Sequence, residues 1–164
     1  MNDISKIVEA LAIEMDAFTD FSAYKEKYRG AKEYVESFQV QLSSSEVSNH
    51  NLFESFQKAN ELTNEAEALK EQIKRKLLAS YSKTSETIRM LDGSETDNIC
   101  DIIKSQIDSM GAFAKAINTF DIKVPELLTV AKVDYAHLNS LNQVPSLVKI
   151  KETLAIFIQT LENQ

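Results

Sequence analysis

The chain has 164 residues, a net charge of −7 and one cysteine, Cys100, so it is long enough for one domain with a substantial core and cannot form an intramolecular disulfide. Acidic residues outnumber basic ones by 25 to 18, which argues against nucleic-acid binding because a duplex binder needs a concentrated basic face. No apolar run approaches the ~20 residues that span a bilayer. The N-terminus carries acidic residues where a signal peptide would carry basic ones, so we expect a cytoplasmic protein, with leaderless secretion left open.

Glycine and proline are scarce, with three and two in the chain, which favours long helices over the many turns of an all-β fold. Apolar residues recur at spacings of three and four and predict a first helix over residues 2–42. This predicted buried row consists of Ile4, Val8, Leu11, Met15, Phe18, Phe21, Tyr24, Tyr28, Ala31, Val35, Phe38 and Leu42. Gly30 lies inside the row and predicts a kink near that position.

A polar segment over residues 43–51 follows the first helix and predicts a turn. A second row with the same spacing runs from Leu52 to Leu91 and predicts a second helix over residues 51–91. This row stops before Gly93, a residue type that ends helices in the left-handed conformation. Folding the two rows about the turn places residue i opposite roughly residue 94 minus i, as in an antiparallel helical hairpin. Phe38 then faces Phe56.

Three shorter helices are predicted over residues 95–119, 125–140 and 145–162, with Pro125 and Pro145 in the first turns of the last two. Their inward-facing residues are predicted to include Cys100, Ile103, Ile107, Met110, Ala114, Ile117, Leu127, Leu128, Ala131, Tyr135, Leu138, Leu147, Ile150, Leu154, Phe157 and Leu161. The sequence therefore predicts an all-α helical bundle. We expect a single domain over residues 1–164, in which the long hairpin of residues 1–92 packs with a C-terminal helical portion, residues 93–164.

Histidine is the commonest general acid or base near neutral pH, and the chain has His50 in the turn and His137 in the fourth helix. Asp134 and His137 have the i, i+3 spacing found in di-iron bundles. The carboxylates that would have to complete such a site lie off the apolar row and are expected to face water: Glu9, Glu14 and Glu33. We therefore expect no metal site, and histidines in surface or capping roles.

Cys100 lies near the start of the third helix, where a thiolate is favoured. Its spacing to Ile103 and Ile107 instead predicts a small buried apolar residue. The sequence contains no glycine-rich phosphate loop, nucleophile elbow or helical zinc-binding motif. These observations predict a protein that is not an enzyme and uses no cofactor.

Two apolar features exceed what a hairpin seam can bury, because two paired helices cover only a narrow face. The first is the set of aromatic side chains beside the hairpin seam, beginning with Phe21, Tyr24 and Tyr28. These residues either dock the C-terminal helices or contact a partner, since tyrosine is enriched in binding hot spots. The second is the apolar run 154–158, which indicates a central helix, a face exposed to another chain or, as a third interpretation, a strand. The candidate partner-interface residues are Phe21, Tyr24, Tyr28, Tyr34, Phe53, Ile156 and Ile158.

These features predict a non-enzymatic interaction protein that binds a protein partner or self-associates through coiled-coil-like helix surfaces. It would be an adaptor, an assembly factor, a secretion-type chaperone or the subunit of a homo-oligomer. The alternative is a membrane-active amphipathic protein, pore-forming or bound at a lipid interface, although anionic lipid would repel so acidic a chain. A second alternative is a helical-bundle enzyme or small-ligand sensor.

Overall fold

The computed structural model describes residues 4–43 and 49–164, which form five helices and no strand. The helices are α1 (Ser5–Leu42), α2 (Asn49–Arg89), α3 (Asp97–Asn118), α4 (Pro125–Asn139) and α5 (Pro145–Glu162). The predicted all-α fold is confirmed, with helix ends within a few residues of those predicted. Most of the predicted turn and the side chain of His50 lie outside the described residues.

The chain divides into two compact units, and each contains a piece of both long helices. The first unit consists of Met1–Ala17 and Lys74–Gln164, and the second of Phe18–Ile73. The single domain over residues 1–164 stays a prediction.

In the second unit, α1 and α2 pair antiparallel at the register that the sequence predicts. The rings of Phe38 and Phe56 have centroids 6.2 Å apart, and Lys27 Nζ lies 2.9 Å from Glu65 Oε2. Their buried apolar residues are Phe21, Tyr24, Ala31, Ala59, Ala66 and Ile73. The predicted buried rows of the two helices are wrong at five positions in this unit, because two paired helices cover only part of each helix surface. The exposed positions are Phe18, Tyr28, Val35, Leu42 and Phe56.

In the first unit, α1 and α2 also pair antiparallel, and this unit contains the three shorter helices. Lys6 Nζ lies 2.9 Å from Glu86 Oε2, and α5 packs against both α3 and α4. The predicted inward faces of α3 and α5 are buried, and those of α4 are buried or half-buried. Gly93 adopts a φ of 97° just after α2, so its predicted left-handed conformation is confirmed.

The predicted buried row of α1 is wrong over its first fifteen residues. Ile4, Val8, Leu11, Met15 and Phe18 are exposed, and the row beside them is buried instead: Ile7, Ala10, Glu14 and Ala17. Small side chains let neighbouring helices approach closely. The Ser80 hydroxyl donates a 2.6 Å hydrogen bond to the backbone carbonyl oxygen of Ala10, a contact that a large residue at this seam would prevent. The sequence pattern favours the larger side chains, whereas the helix contact requires the smaller ones.

Candidate functional site

The first unit carries four large apolar side chains in line on the outer face of α1. Ile4 is 47% exposed, Val8 60%, Leu11 45% and Met15 64%. Their spacings of four, three and four give the seven-residue repeat of a coiled-coil seam. We call these four residues the N-terminal apolar row.

Uncharged and small side chains lie along one flank of the N-terminal apolar row. Ser5 and Ala12 are exposed, seven residues apart and therefore on the same side of the helix. The acidic residues Glu9 and Asp16 are exposed further from the row. The surface that directly borders the row on this flank is therefore free of charge.

The other flank of the row faces α3 across an open groove of about 440 Å³. Ile102 on α3 is 41% exposed there and extends the apolar surface beyond α1. The groove is lined by Ile7, Leu11, Asp101, Ile102, Ser105, Gln106 and Ser109. The apolar surface is thus built by two helices of the first unit.

Glu14 is buried between α1 and α3, with 5% of its surface exposed. Its Oε2 accepts a 3.0 Å hydrogen bond from Gln106 Nε2, and its Oε1 accepts a 2.9 Å bond from Ser109 Oγ. Burial raises the pKa of Glu14, and these two hydrogen bonds oppose the shift only in part. The prediction that Glu14 faces water is wrong, because neutral donors on α3 satisfy its oxygens. Glu9 and Glu33 are exposed, as predicted.

A second buried carboxylate, Asp134 on α4, is 0% exposed and accepts three hydrogen bonds from α2. Tyr81 donates through its hydroxyl at 2.7 Å, and Ser85 Oγ and Arg89 Nε donate at 2.9 Å each. Burial, followed by the nearby Asp134 charge, raises the pKa of Tyr81. Asp134 therefore stabilises the contact between α2 and α4.

The residues weighed as candidates for chemistry have structural partners. His137 Nε2 lies 3.3 Å from the carbonyl oxygen of Leu91, whereas Asp134 accepts its hydrogen bonds from α2. Cys100 is 2% exposed, which confirms its predicted burial, and burial raises the pKa of its thiol. In the part of the chain that the structure describes, no three His, Cys, Asp or Glu side chains are grouped to hold a metal ion.

The candidate interface residues of the hairpin fall into two classes in the second unit. Phe21 and Tyr24 are each 4% exposed and belong to its core, so a partner cannot reach them without rearrangement. Tyr28, Tyr34 and Phe53 are 47%, 40% and 65% exposed. Tyr24 and Tyr28 stack with ring centroids 6.1 Å apart and line a groove of about 450 Å³, together with Ala31 and Ala66 among others.

The apolar run of α5 is buried on one side and exposed on the other. Leu154 and Phe157 are buried, Ile158 is half-buried and Ile156 is 63% exposed. Ile156 borders a small groove beside Gly111 and Ala112 of α3. Within the described chain, α5 is therefore not covered on all sides.

The sequence pattern predicted that the N-terminal apolar row is buried and did not identify it as an exposed surface. The available signal was that α1 carries two neighbouring rows over residues 4–17, one of large apolar side chains and one that includes the small residues Ala10 and Ala17. Only one of two such rows can face a single neighbouring helix.

None of the described helices is both long and apolar enough to cross a membrane. No known protein family matches the chain, and no curated protein or solved structure matches it significantly.

Proposed function

We propose that this chain is a non-enzymatic helical interaction protein, acting as an adaptor, an assembly factor, a secretion-type chaperone or a homo-oligomer subunit. The observation that carries the proposal is the N-terminal apolar row, four large side chains exposed at heptad spacing on a helix whose neighbouring row is core. Apolar side chains at this spacing are typical of a helix surface that packs against another helix.

The row differs from the scattered apolar residues that any protein surface exposes. Its members are contiguous along the helix and are extended by Ile102 on α3, and contiguous apolar surface is a mark of an interaction site. Covering apolar surface stabilises a complex by about 25 cal/mol for each Å² removed from water. A protein partner with an apolar helix face therefore fits this surface.

The buried polar groups support a structural rather than a catalytic use of the fold. Glu14 and Asp134 both accept hydrogen bonds across helix contacts, and a buried thiol with a raised pKa, as at Cys100, forms little of the reactive thiolate.

Site-specific photo-crosslinking in the cells that produce the chain tests this proposal. A photoreactive phenylalanine analogue replaces Val8, which is 60% exposed in the row, or, as the matched control, Val133, which is 52% exposed on α4. We expect a discrete protein adduct from position 8 and none from position 133, with adducts identified by mass spectrometry. Absence of an adduct at position 8 in a folded variant, or equal adducts at both positions, would overturn the proposal.

A further inference from the structure

We infer that the partner of the N-terminal apolar row is the same row on a second copy of this chain, with the two α1 helices antiparallel about a twofold axis. The inference rests on the proposed function and names the partner for it. Its warrant is the self-complementary order of side chains along the row and the uncharged side chains of α1 on one flank of it.

The order of apolar residues along the row is suited to antiparallel pairing. Val8 and Met15 occupy heptad position a, and Ile4 and Leu11 occupy heptad position d. In an antiparallel pair, each residue at position a of one helix lies opposite a residue at position d of the other. Ile4 of one copy then faces Met15 of the other, and Val8 faces Leu11. The twofold axis repeats both pairs, so that all four layers are apolar and the interface is isologous.

The flanking positions allow two acidic chains to approach each other. Coiled-coil partners are commonly selected by charges at the positions that flank the seam, and like charges there would repel two copies of a chain with net charge −7. Here Ser5 of one copy lies opposite Ala12 of the other. Both residues are small and uncharged, so they permit close approach without repulsion.

On the other flank, the α1 positions that border the row are covered by the chain itself. Ile7 and Glu14 occupy them, and both are 5% exposed beneath α3. The exposed charge on this flank is Asp101 of α3, which lines the groove. At Ser5 and Ala12 a partner with charged flanks would find no opposite charge, so the neutral flank of α1 favours a partner with the same neutral flank, which a second copy supplies.

The size of the row sets the expected strength of the dimer. The four pairs of facing side chains bury less surface than the ~800 Å² per partner of a standard interface. We therefore expect a reversible dimer with a dissociation constant of roughly 1–100 µM, since small interfaces leave little surplus over the entropy of association.

Analytical ultracentrifugation across this concentration range tests the inference. The chain should shift from monomer to dimer, and Val8→Glu should weaken the dimer at least about 10-fold, because an ionised carboxylate would have to be desolvated against Leu11. The matched control Val133→Glu introduces the same charge at an exposed valine away from the row and should leave the dissociation constant unchanged. Circular dichroism checks that both variants remain helical. Equal dimerisation of the chain and Val8→Glu would overturn the inference.

Disulfide trapping tests the antiparallel orientation in a Cys100→Ala background. Ile4→Cys mixed with Met15→Cys should give a 4-to-15 disulfide, whereas neither variant alone should crosslink. In the antiparallel pair two copies of position 4 are separated by eleven residues along the helix axis, about 16 Å. Efficient crosslinking of either variant alone would overturn the antiparallel arrangement.

The two experiments distinguish failure of this inference from failure of the proposed function. A chain that stays monomeric while position 8 crosslinks to a different protein overturns self-association and leaves the interaction function standing. A monomeric chain that gives no adduct overturns both.

Discussion

The hydroxyl group of Tyr81 on α2 donates a 2.7 Å hydrogen bond to Oδ2 of Asp134 on α4, and both residues are 0% exposed. Burying a carboxylate in a protein interior carries a large desolvation cost unless donors replace the lost water. Ser85 and Arg89 supply donors to the other oxygen of Asp134. The fully buried charge is therefore tolerated because one helix satisfies both of its oxygens.

Removing the Tyr81 hydroxyl should destabilise the fold measurably. Tyr81→Phe keeps the ring, which packs 5.4 Å from Phe157, but leaves Oδ2 of Asp134 without its donor. We expect the free energy of unfolding to fall by about 1–3 kcal/mol, measured by urea denaturation. Tyr135→Phe, on the half-buried tyrosine next to Asp134 in sequence, is the control and should have a smaller effect. Equal losses in the two variants would contradict the assigned role.

The buried carboxyl of Glu14 should make stability depend on pH in a direction that follows from its raised pKa. A carboxyl whose pKa is higher in the folded state binds protons more tightly there, so folding becomes less favourable as pH rises from the usual value of 4.5 through the raised one. Glu14→Gln removes this cost and can still contact both Gln106 and Ser109. We expect a higher melting temperature than the parent at pH 7, and a difference that shrinks as the pH is lowered toward 4.5.

Glu33→Gln is the control for the Glu14 experiment. Glu33 is exposed in the second unit, so the same change of charge should leave the melting temperature close to that of the parent at every pH tested. A Glu14→Gln protein less stable than the parent at pH 7 would show that the lost carboxylate hydrogen bonds outweigh desolvation.

Two glycines should respond to alanine with opposite signs. Gly93 has a φ of 97°, where an L side chain is strained, although its Cβ would find space 3.7 Å from Leu147. Gly111 lies inside α3, and its Cβ would make an ordinary 3.5 Å contact with Phe157. We expect Gly93→Ala to destabilise by about 1 kcal/mol and Gly111→Ala to stabilise by up to about 1 kcal/mol. Thermal unfolding would contradict this account if both shifts had the same sign.

Gly30 tests how closely the two long helices pack in the second unit. α1 remains helical through Gly30, and a Cβ there would lie 3.2 Å from a terminal methyl group of Leu62. Leu62 is half-buried and its side chain can shift, so Gly30→Ala should stabilise, but by less than Gly111→Ala. Gly30→Val should destabilise because a branched side chain overpacks the contact. A stabilising valine would show that the helices have room to separate.

The helices and their register were predictable because they depend on local periodicity. The pairing of Phe38 with Phe56 needed only the spacing of apolar residues and one polar turn. The buried face of α1 was not predictable in the same way. Ala10 is selected by the close approach of α2 at Ser80, and this contact is 70 residues distant in sequence.

The buried carboxylates were hidden for a related reason. A carboxylate is normally a solvent-facing residue, and Glu14 becomes a core residue only through Gln106 and Ser109, which lie more than 90 positions away. The spacing of Asp134 and His137 matches that of di-iron bundles, although the sequence predicts no metal site there. The fold instead directs Asp134 to α2 and His137 to a backbone carbonyl, a distinction that no local pattern contains.

The donors to Asp134 also fix how far along α2 the helix α4 can lie. Apolar side chains are nearly interchangeable neighbours, so their packing alone discriminates poorly between alignments that differ by one turn, about 5.4 Å. Tyr81, Ser85 and Arg89 are spaced four residues apart and occupy successive turns. Moving α4 by one turn toward the N-terminus of α2 would bring the carboxylate toward the apolar Leu77. Moving α4 by one turn toward the C-terminus of α2 would take the carboxylate away from Tyr81. A single buried charge thus specifies one alignment of two helices among several of similar apolar contact.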